Sequence, residues 1–380
     1  MRIAIFSESY EPVVNGVSVV VAMLRDGLRA RGHEVTIYAS HFPGYKDGEG
    51  VLRFPSRMTK YAPGYPLAIP YAPKLRNAFF SNPPDIVHTQ TPFLLGYIGM
   101  KWAKCAGVPI VSTNHTLYTE YTHYVPVLPG SITRSALVRW MRWYYQRCDS
   151  IVVPSGPVSE VLHRYGVEKP IHVIKSGVTT KQVDSREDFR KAYGISSDTF
   201  VLLYVGRIAR EKNLELILKS FRAAQESCSN VNLMIVGSGP YEEEFRQLVG
   251  DLGVSKNVVF TGVLDHKGIS SAYSAADAFV FSSLTDTQGL VLCEALTTGL
   301  PCVAVGAGGV PEVLEDGVDS ILTENSVDDF SKAICKLVRT PDFRAKLAAG
   351  AIQNSAKYTV DAMAERFEKY YLSEIERKRG

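Results

Sequence analysis

The chain has 380 residues, a formal net charge of +3 and an apolar content of 46%. That length exceeds one typical core and suits two domains, and no segment approaches the roughly 18 uninterrupted apolar residues of a membrane span. The charge is too small to argue for nucleic acid, and the six cysteines contain no C-x-x-C pair, so neither a zinc site nor a disulfide framework is indicated and a reducing cytosol is the simplest compartment.

The N-terminus, "MRIAIFSES", is charged at Arg2 and then strand-like, without the apolar core and small-residue cleavage site of a secretory signal. Strand "RIAIF" leads to a glycine-containing loop, "SESYEPVVNGVS", and then to an apolar-periodic helix through Val20 to Arg29. Strands follow at "TIYA", "DIVHT", "PIVSTNH" and "SIVVPS", with helical patterns between them. From Arg53 to Pro84 the rhythm breaks, with prolines at 55, 63, 66, 70, 73, 83 and 84. Irregular chain of that length inside a domain is more often functional than idle. From Ser131 to Cys148 run Arg134, Arg139, Arg142 and Arg147, no acid, and Trp140, Trp143, Tyr144 and Tyr145. Leu137, Trp140, Met141 and Tyr144 have the i, i+3, i+4, i+7 spacing of a core-facing helix. The arginines on its other side are then available to anionic lipid headgroups.

The polar segment between Ile174 and Thr199 holds the expected hinge, and the pattern restarts at "FVLLYVGR". Strands "NLMIVG", "VVFTG", "AFVFSS" and "CVAVG" follow, again separated by helical segments. Strands alternating with helices predict an α/β architecture of parallel sheets covered on both faces. The expected organisation is an N-terminal Rossmann-like domain over 1–176, a second over 177–359, one linker between them, and a charged last helix, 360–380, packing back toward the first. Ligands in such sheets lie beyond the C-terminal strand ends, so two sheets facing across a cleft put the chemistry there.

Glycines stand at several of those ends: Gly16, Gly206, Gly237, Gly239, Gly306, Gly308 and Gly309. Each lets backbone approach a ligand or turn tightly. None completes the G-x-G-x-x-G of a dinucleotide site or a P-loop, which argues against NAD and against ATP hydrolysis. Arg207 and Lys212, in "VGRIAREKN", are cations at a strand end that can converge on a diphosphate. In "SSLTDTQGLVLCEALTTGLP", a loop leads into a short helix, so the amides of Gly289, Leu290 and Val291 form an anion site at a helix N-terminus. Glu294, a turn deeper, suits a pair of ribose hydroxyls, and Asp286 on the loop can reach a sugar beyond the phosphates. His115 lies just past one N-terminal-half strand and His88 ends another. His88, His115 and His123 lack the spacing of a metal site.

These residues resemble a known family. "SESYEPVVNGVS…LRARGHEV", "VGRIAREKN", "VGSGP" and "DTQGLVLCEALTTGLPCVAVGAGGVPEVLEDG" together look like a family 4 glycosyltransferase of the GT-B fold, in the right order over nearly the whole chain. The resemblance implies transfer of a sugar from a nucleotide diphosphate donor with retention of the α configuration, no cofactor beyond that donor, and usually no metal. It implies Arg207 and Lys212 on the diphosphate, Glu294 on the ribose, Gly16 in a loop over the phosphates, and His115 near the transferred sugar. Asp286 stands where the family has Glu, a carboxylate one methylene shorter. "DIVHTQTPFLLGYIGMKWAKCAGVPIVSTNHTLYTEYTHYVP" and "TDTQGL" are similar to diacylglycerol glucosyltransferases. That similarity implies UDP-glucose as donor, a lipid acceptor, and a cytoplasmic protein peripheral on the anionic inner face of the membrane. Segment 61–73 and loop 118–135 would border the lipid entrance, with Tyr118, Tyr121, His123, Arg139, Trp140 and Arg142 in that region. A mannosyl- or other hexosyltransferase with a phospholipid or soluble acceptor is the alternative. A nucleotide-sugar epimerase, a sugar-phosphate phosphorylase and a non-catalytic nucleotide-sugar-binding module are the remaining rivals.

Overall fold

The computed structural model describes residues 1–58, 64–120, 130–179 and 186–380, with only the backbone for 130–132. It divides into one unit of Met1–Gly177 with Thr359–Gly380 and another of Val178–Tyr358. The chain therefore passes between the units twice, at 177/178 and at 358/359, and the last helix belongs to the first unit. At the return Thr359 caps the last helix, its hydroxyl accepting from the Ala362 amide at 3.1 Å.

In the first unit the strands are β1 (Arg2–Ser7), β2 (Glu34–Ser40), β3 (Val51–Phe54), β4 (Ser56–Arg57), β5 (Leu67–Ala68), β6 (Ile86–Thr89), β7 (Ile110–Thr113), β8 (Ser150–Val153) and β9 (Ile171–Val173). β4 and β5 form a small antiparallel pair, and the others form a parallel sheet in the order β3-β2-β1-β6-β7-β8-β9. The order reverses between β1 and β6, the switch point at which open α/β sheets take ligands. The helices are α1 (Gly16–Ala30), α2 (Pro73–Ser81), α3 (Leu94–Ala106), α4 (Gly130–Tyr145), α5 (Gly156–Arg164) and, returning at the chain's end, α13 (Val360–Arg379). α13 lies on α1, where Glu368 binds Arg31 at 2.7 Å and His33 at 2.9 Å. The other sheet face is covered by an aromatic and aliphatic core of Phe6, Tyr38, Phe79, Trp102, Tyr144 and Ile151.

The second unit has β10 (Phe200–Val205), β11 (Val231–Val236), β12 (Val258–Gly262), β13 (Ala278–Phe281), β14 (Cys302–Val305) and β15 (Ser320–Thr323), parallel in the order β12-β11-β10-β13-β14-β15. Helices α6 (Arg186–Ala192), α7 (Leu214–Gln225), α8 (Glu242–Asp251), α9 (His266–Ala275), α10 (Leu290–Thr297), α11 (Val327–Arg339) and α12 (Pro341–Ser355) cover it. The period of two along β10 sorts its side chains. Leu202 and Tyr204 enter one core with α7 and α11, while Val201, Leu203 and Val205 enter the other with α9 and α10. Here the order reverses between β10 and β13.

Candidate active site

The loops after β10, β11, β13 and β14 meet at the C-terminal edge of the second unit's sheet. They meet closely because glycines allow it. A Cβ on Gly237 would stand 2.0 Å from the Gly206 carbonyl oxygen, and one on Gly309 would stand 2.1 Å from that of Thr287. The Gly309 amide donates to the Asp286 carbonyl at 3.0 Å, tying the loop after β14 to the loop after β13.

Lys212 ends a single 3-10 turn, Arg210–Lys212, closed by Asn213 in the left-handed conformation at φ 55. Asn213 Nδ2 donates to the Ser282 carbonyl at 3.1 Å, and Ser282 Oγ donates to the carbonyls of Lys212 and Asn213, each at 2.9 Å. The turn is thus stitched to the end of β13. Its result is that Lys212 Nζ meets both oxygens of Asp286, at 2.7 and 2.9 Å. The sequence reading put Lys212 on phosphate and Asp286 on sugar as separate arms, and the structure joins them. Both side chains are largely shielded, so removing either partner would leave the other charge poorly compensated. Arg207, beyond Gly206, is half exposed and its guanidinium lies 3.7 Å from Glu211. Tyr204, buried under it, donates its hydroxyl to the Arg207 carbonyl at 3.0 Å and so fixes where the arginine leaves the strand.

α10 begins at Leu290, with Gly289, in the left-handed conformation at φ 74, as its N-cap. The amides of Gly289, Leu290 and Val291 lie at this N-terminus, as the sequence suggested. Glu294 is half-buried on the same helix. Its Oε2 accepts from the Tyr273 hydroxyl at 2.8 Å, a hydroxyl that also lies 3.1 Å from the Val291 carbonyl. Burial pushes this carboxyl up to about 7, against the pull of the tyrosine hydrogen bond. Tyr273 was not singled out from the sequence. It lies in α9, and only the fold brings it beside α10.

In the first unit, Gly16 is the first residue of α1, not part of the preceding loop. Asn15 and Ser18 cap each other across that turn, Asn15 Oδ1 accepting from the Ser18 amide at 3.0 Å and Ser18 Oγ from the Asn15 amide at 2.9 Å. His115 follows β7, and its Nε2 donates to Gln90 Oε1 at 2.7 Å. Burial lowers it to about 4 and keeps the ring neutral at physiological pH. His88 is fully enclosed between the Tyr371 hydroxyl and Thr113 Oγ1, each at 2.6 Å, and burial lowers it to about 3. It is a structural residue that anchors α13 to the sheet.

Tyr118 packs edge-on against Phe93 at 5.0 Å, and burial raises its hydroxyl well above the ordinary tyrosine range. Tyr121 and His123 lie outside the described residues, as do parts of segment 61–73 and of loop 118–135. On α4 the expected apolar stripe divides. Met141 and Tyr144 are buried, whereas Trp140 sits at the edge, its Nε1 donating to the Pro92 carbonyl at 2.6 Å and its ring stacked on Trp143 at 4.9 Å. Arg134, Arg139, Arg142 and Arg147 are exposed along the same helix and its end. The stretch from 53 to 84, read as irregular, contains β4, β5 and α2, and presents Met58, Leu67, Ile69 and Tyr71 to solvent.

Family models described as "Glycosyl transferases group 1" and "Glycosyltransferase Family 4" match residues 185–354 and 14–182. The alpha-monoglucosyldiacylglycerol synthase of Acholeplasma laidlawii is 29% identical over 99% of this chain and 98% of its own length. A GDP-mannose-dependent alpha-mannosyltransferase of Mycolicibacterium smegmatis is 30% identical over 88% of this chain and 87% of its own. Among solved structures, Anabaena HepE in complex with UDP superposes with a TM-score of 0.77 at 19% identity, over 98% of this chain and 100% of that one.

Proposed function

The chain belongs to glycosyltransferase family 4 and is a hexosyltransferase of the GT-B fold, and from that premise we propose that it moves glucose from UDP-glucose to the hydroxyl of a diacylglycerol, with retention and without a metal. The observation that carries the donor half is the sheet edge of the second unit. There the α10 N-terminus, Arg207, Lys212 and Glu294 are assembled at the switch between β10 and β13. Backbone donors and cations of this kind stabilise a departing diphosphate by the same preorganisation that stabilises an oxyanion. The glycosidic bond from C1 to phosphate loosens as positive charge builds on the ring. The acceptor hydroxyl attacks C1 from the same face and passes its proton to the leaving phosphate oxygen. Glu294 takes the ribose hydroxyls, and neutral His115 steadies the transferred sugar by hydrogen bonding.

The lipid half is supported by the near full-length similarity to the Acholeplasma laidlawii enzyme. It is also supported by the exposed apolar side chains of Leu67, Ile69 and Tyr71 and the basic face of α4. Transfer of mannose from GDP-mannose is the second reading, favoured by the Mycolicibacterium smegmatis relative. The test crosses UDP-glucose, UDP-galactose and GDP-mannose with 1,2-dioctanoylglycerol, phosphatidylglycerol and glycerol, reading nucleotide release and then the mass of the glycoside. Arg207→Ala should lower turnover by roughly 10²–10³-fold. Near wild-type turnover in that variant would remove Arg207 from the phosphate site. An altered nucleotide sugar without glycoside would mark an epimerase, and no nucleotide release from any donor would mark a binding module.

A further inference from the structure

The first unit carries a row of polar side chains that nothing above uses. Phe6 of β1 stands beside Thr89 of β6, and Thr89 beside Ser112 of β7. Just past the ends of these strands, continuing the same register by two residues brings Glu8, Thr91 and Asn114 into line at the C-terminal edge, with Glu8 and Thr91 flanking the β1/β6 switch point. By the alternation of strands this row points to the face where Thr89 Oγ1 meets the Tyr144 hydroxyl at 2.7 Å. It is opposite the face on which His88 bonds Thr113 and Tyr371.

Each member of the row keeps a polar atom buried without a partner among the described residues: Glu8 Oε2, Thr91 Oγ1, and both Oδ1 and Nδ2 of Asn114. Asn114 is 0% exposed and Thr91 7%. Because both amide atoms of Asn114 are unpartnered, rotating the amide does not remove the deficit. Glu8 is held by its other oxygen, which accepts from the α3 amides of Leu95 at 2.5 Å and Gly96 at 3.4 Å. That grip fixes Oε2 as the remaining acceptor. Orphaned buried groups are rare and call for a ligand or water, and here they fall in one row at a switch point.

The chemistry of the row selects its ligand. It contains no cation to draw an anion, and one carboxyl beside an amide and a hydroxyl is a poor cage for a metal ion. A carboxylate and two amide atoms suit a group that both donates and accepts, namely a hydroxyl or a pair of neighbouring hydroxyls. We infer that Glu8, Thr91 and Asn114 form the subsite that holds the hydroxyl-bearing head of the acceptor, Glu8 Oε2 and Asn114 Oδ1 accepting its hydrogen bonds and Asn114 Nδ2 donating one. Burial also pushes the Glu8 carboxyl up to about 7, against the hydrogen bonds from the amides of Leu95, Glu8 and Gly96 that lower it.

This assignment rests on the transferase reading, and the experiment separates the two. With UDP-glucose as donor and 1,2-dioctanoylglycerol in detergent micelles as probe, KM for each substrate is measured in the full chain and in Glu8→Gln, Thr91→Val and Asn114→Ala. The subsite predicts at least a tenfold rise in KM for dioctanoylglycerol in Glu8→Gln and Asn114→Ala, with KM for UDP-glucose within twofold of the parent. Equal rises in both KM values, or an unchanged acceptor KM, would overturn it. Should Glu8→Gln fail to fold, Thr91→Val, which removes one hydroxyl at nearly constant volume, decides by the same split. A parent chain that releases no nucleotide would sink the transferase reading itself, and the subsite with it.

Discussion

Glu294→Gln tests the ribose side of the donor site through a titration. Burial holds this carboxyl at about 7 instead of 4.5. At about 1.4 kcal/mol per pH unit that difference is roughly 3 kcal/mol. The folded value lies above the unfolded one, so the stability it contributes is fully present below pH 4.5 and is lost as pH rises through 7. Glutamine cannot ionise, yet its Oε1 still accepts from the Tyr273 hydroxyl. The variant should therefore gain on the parent by roughly 3 kcal/mol between pH 4.5 and 8.5, read by urea denaturation at stepped pH. Glu8 rises through the same window in both proteins and cancels in the difference. A stability difference that stays constant across that range would refute the reasoning. The same carboxyl links to the ligand. Two ribose hydroxyls favour the ionised form, so uridine should bind the parent more tightly as pH rises from 5 to 7 and bind the variant weakly and without slope. Uridine is the right probe because it has no phosphate to titrate.

Two further outcomes follow from the structure. Gly309→Ala would force its Cβ to within 2.1 Å of a backbone oxygen that no rotamer can move aside. It should lower the second unit's stability by about 1–3 kcal/mol and reduce turnover with it, read by thermal denaturation and nucleotide release. Exposed Arg139 and Arg142 give α4 a basic face, so sedimentation with phosphatidylglycerol vesicles should weaken with salt and fall in Arg139→Glu/Arg142→Glu; indifference to vesicle charge would remove the membrane from the proposal.

The sequence displayed what is repeated and local. The apolar run of β10, the helix after Gly289 and the glycines at strand ends could all be read from it, because each depends on neighbours a few residues away. Short edge strands could not. β9 is three residues with two exposed, and β3 carries Arg53 among its four, so neither makes an apolar run. α2 was lost among prolines, although Pro73 is its first residue, where proline starts a helix instead of breaking it. The hidden part of the site is non-local. Lys212 and Asp286 are 74 residues apart, Tyr273 and Glu294 21 apart, and the Glu8, Thr91 and Asn114 row exists only once β6 has been inserted beside β1.

The Lys212–Asp286 contact changes what each residue can do for a donor. Across the site Arg207 and Lys212 each face an acid, Glu211 and Asp286, so on the proposed donor reading neither cation meets a diphosphate as an isolated charge. On that reading the attraction draws on re-pairing and on the α10 amides, where the helix dipole favours an anion. The two cations differ in how readily they re-pair. Arg207 is 47% exposed and 3.7 Å from its acid, a separation worth well under about 1 kcal/mol at a surface, so phosphate can take it at little cost. Lys212 is held at 2.7 Å by both oxygens of a carboxylate and is only 20% exposed. On the proposed donor reading a phosphate would therefore join Asp286 on Lys212, not replace it. Asp286 then acts first by fixing the lysine, and on the proposed reading it would reach a sugar hydroxyl only with whatever acceptor capacity the ammonium leaves. A glutamate, one methylene longer, would place its carboxylate elsewhere relative to Lys212. The Asp at this position thus sets the geometry of the cation as much as that of the sugar.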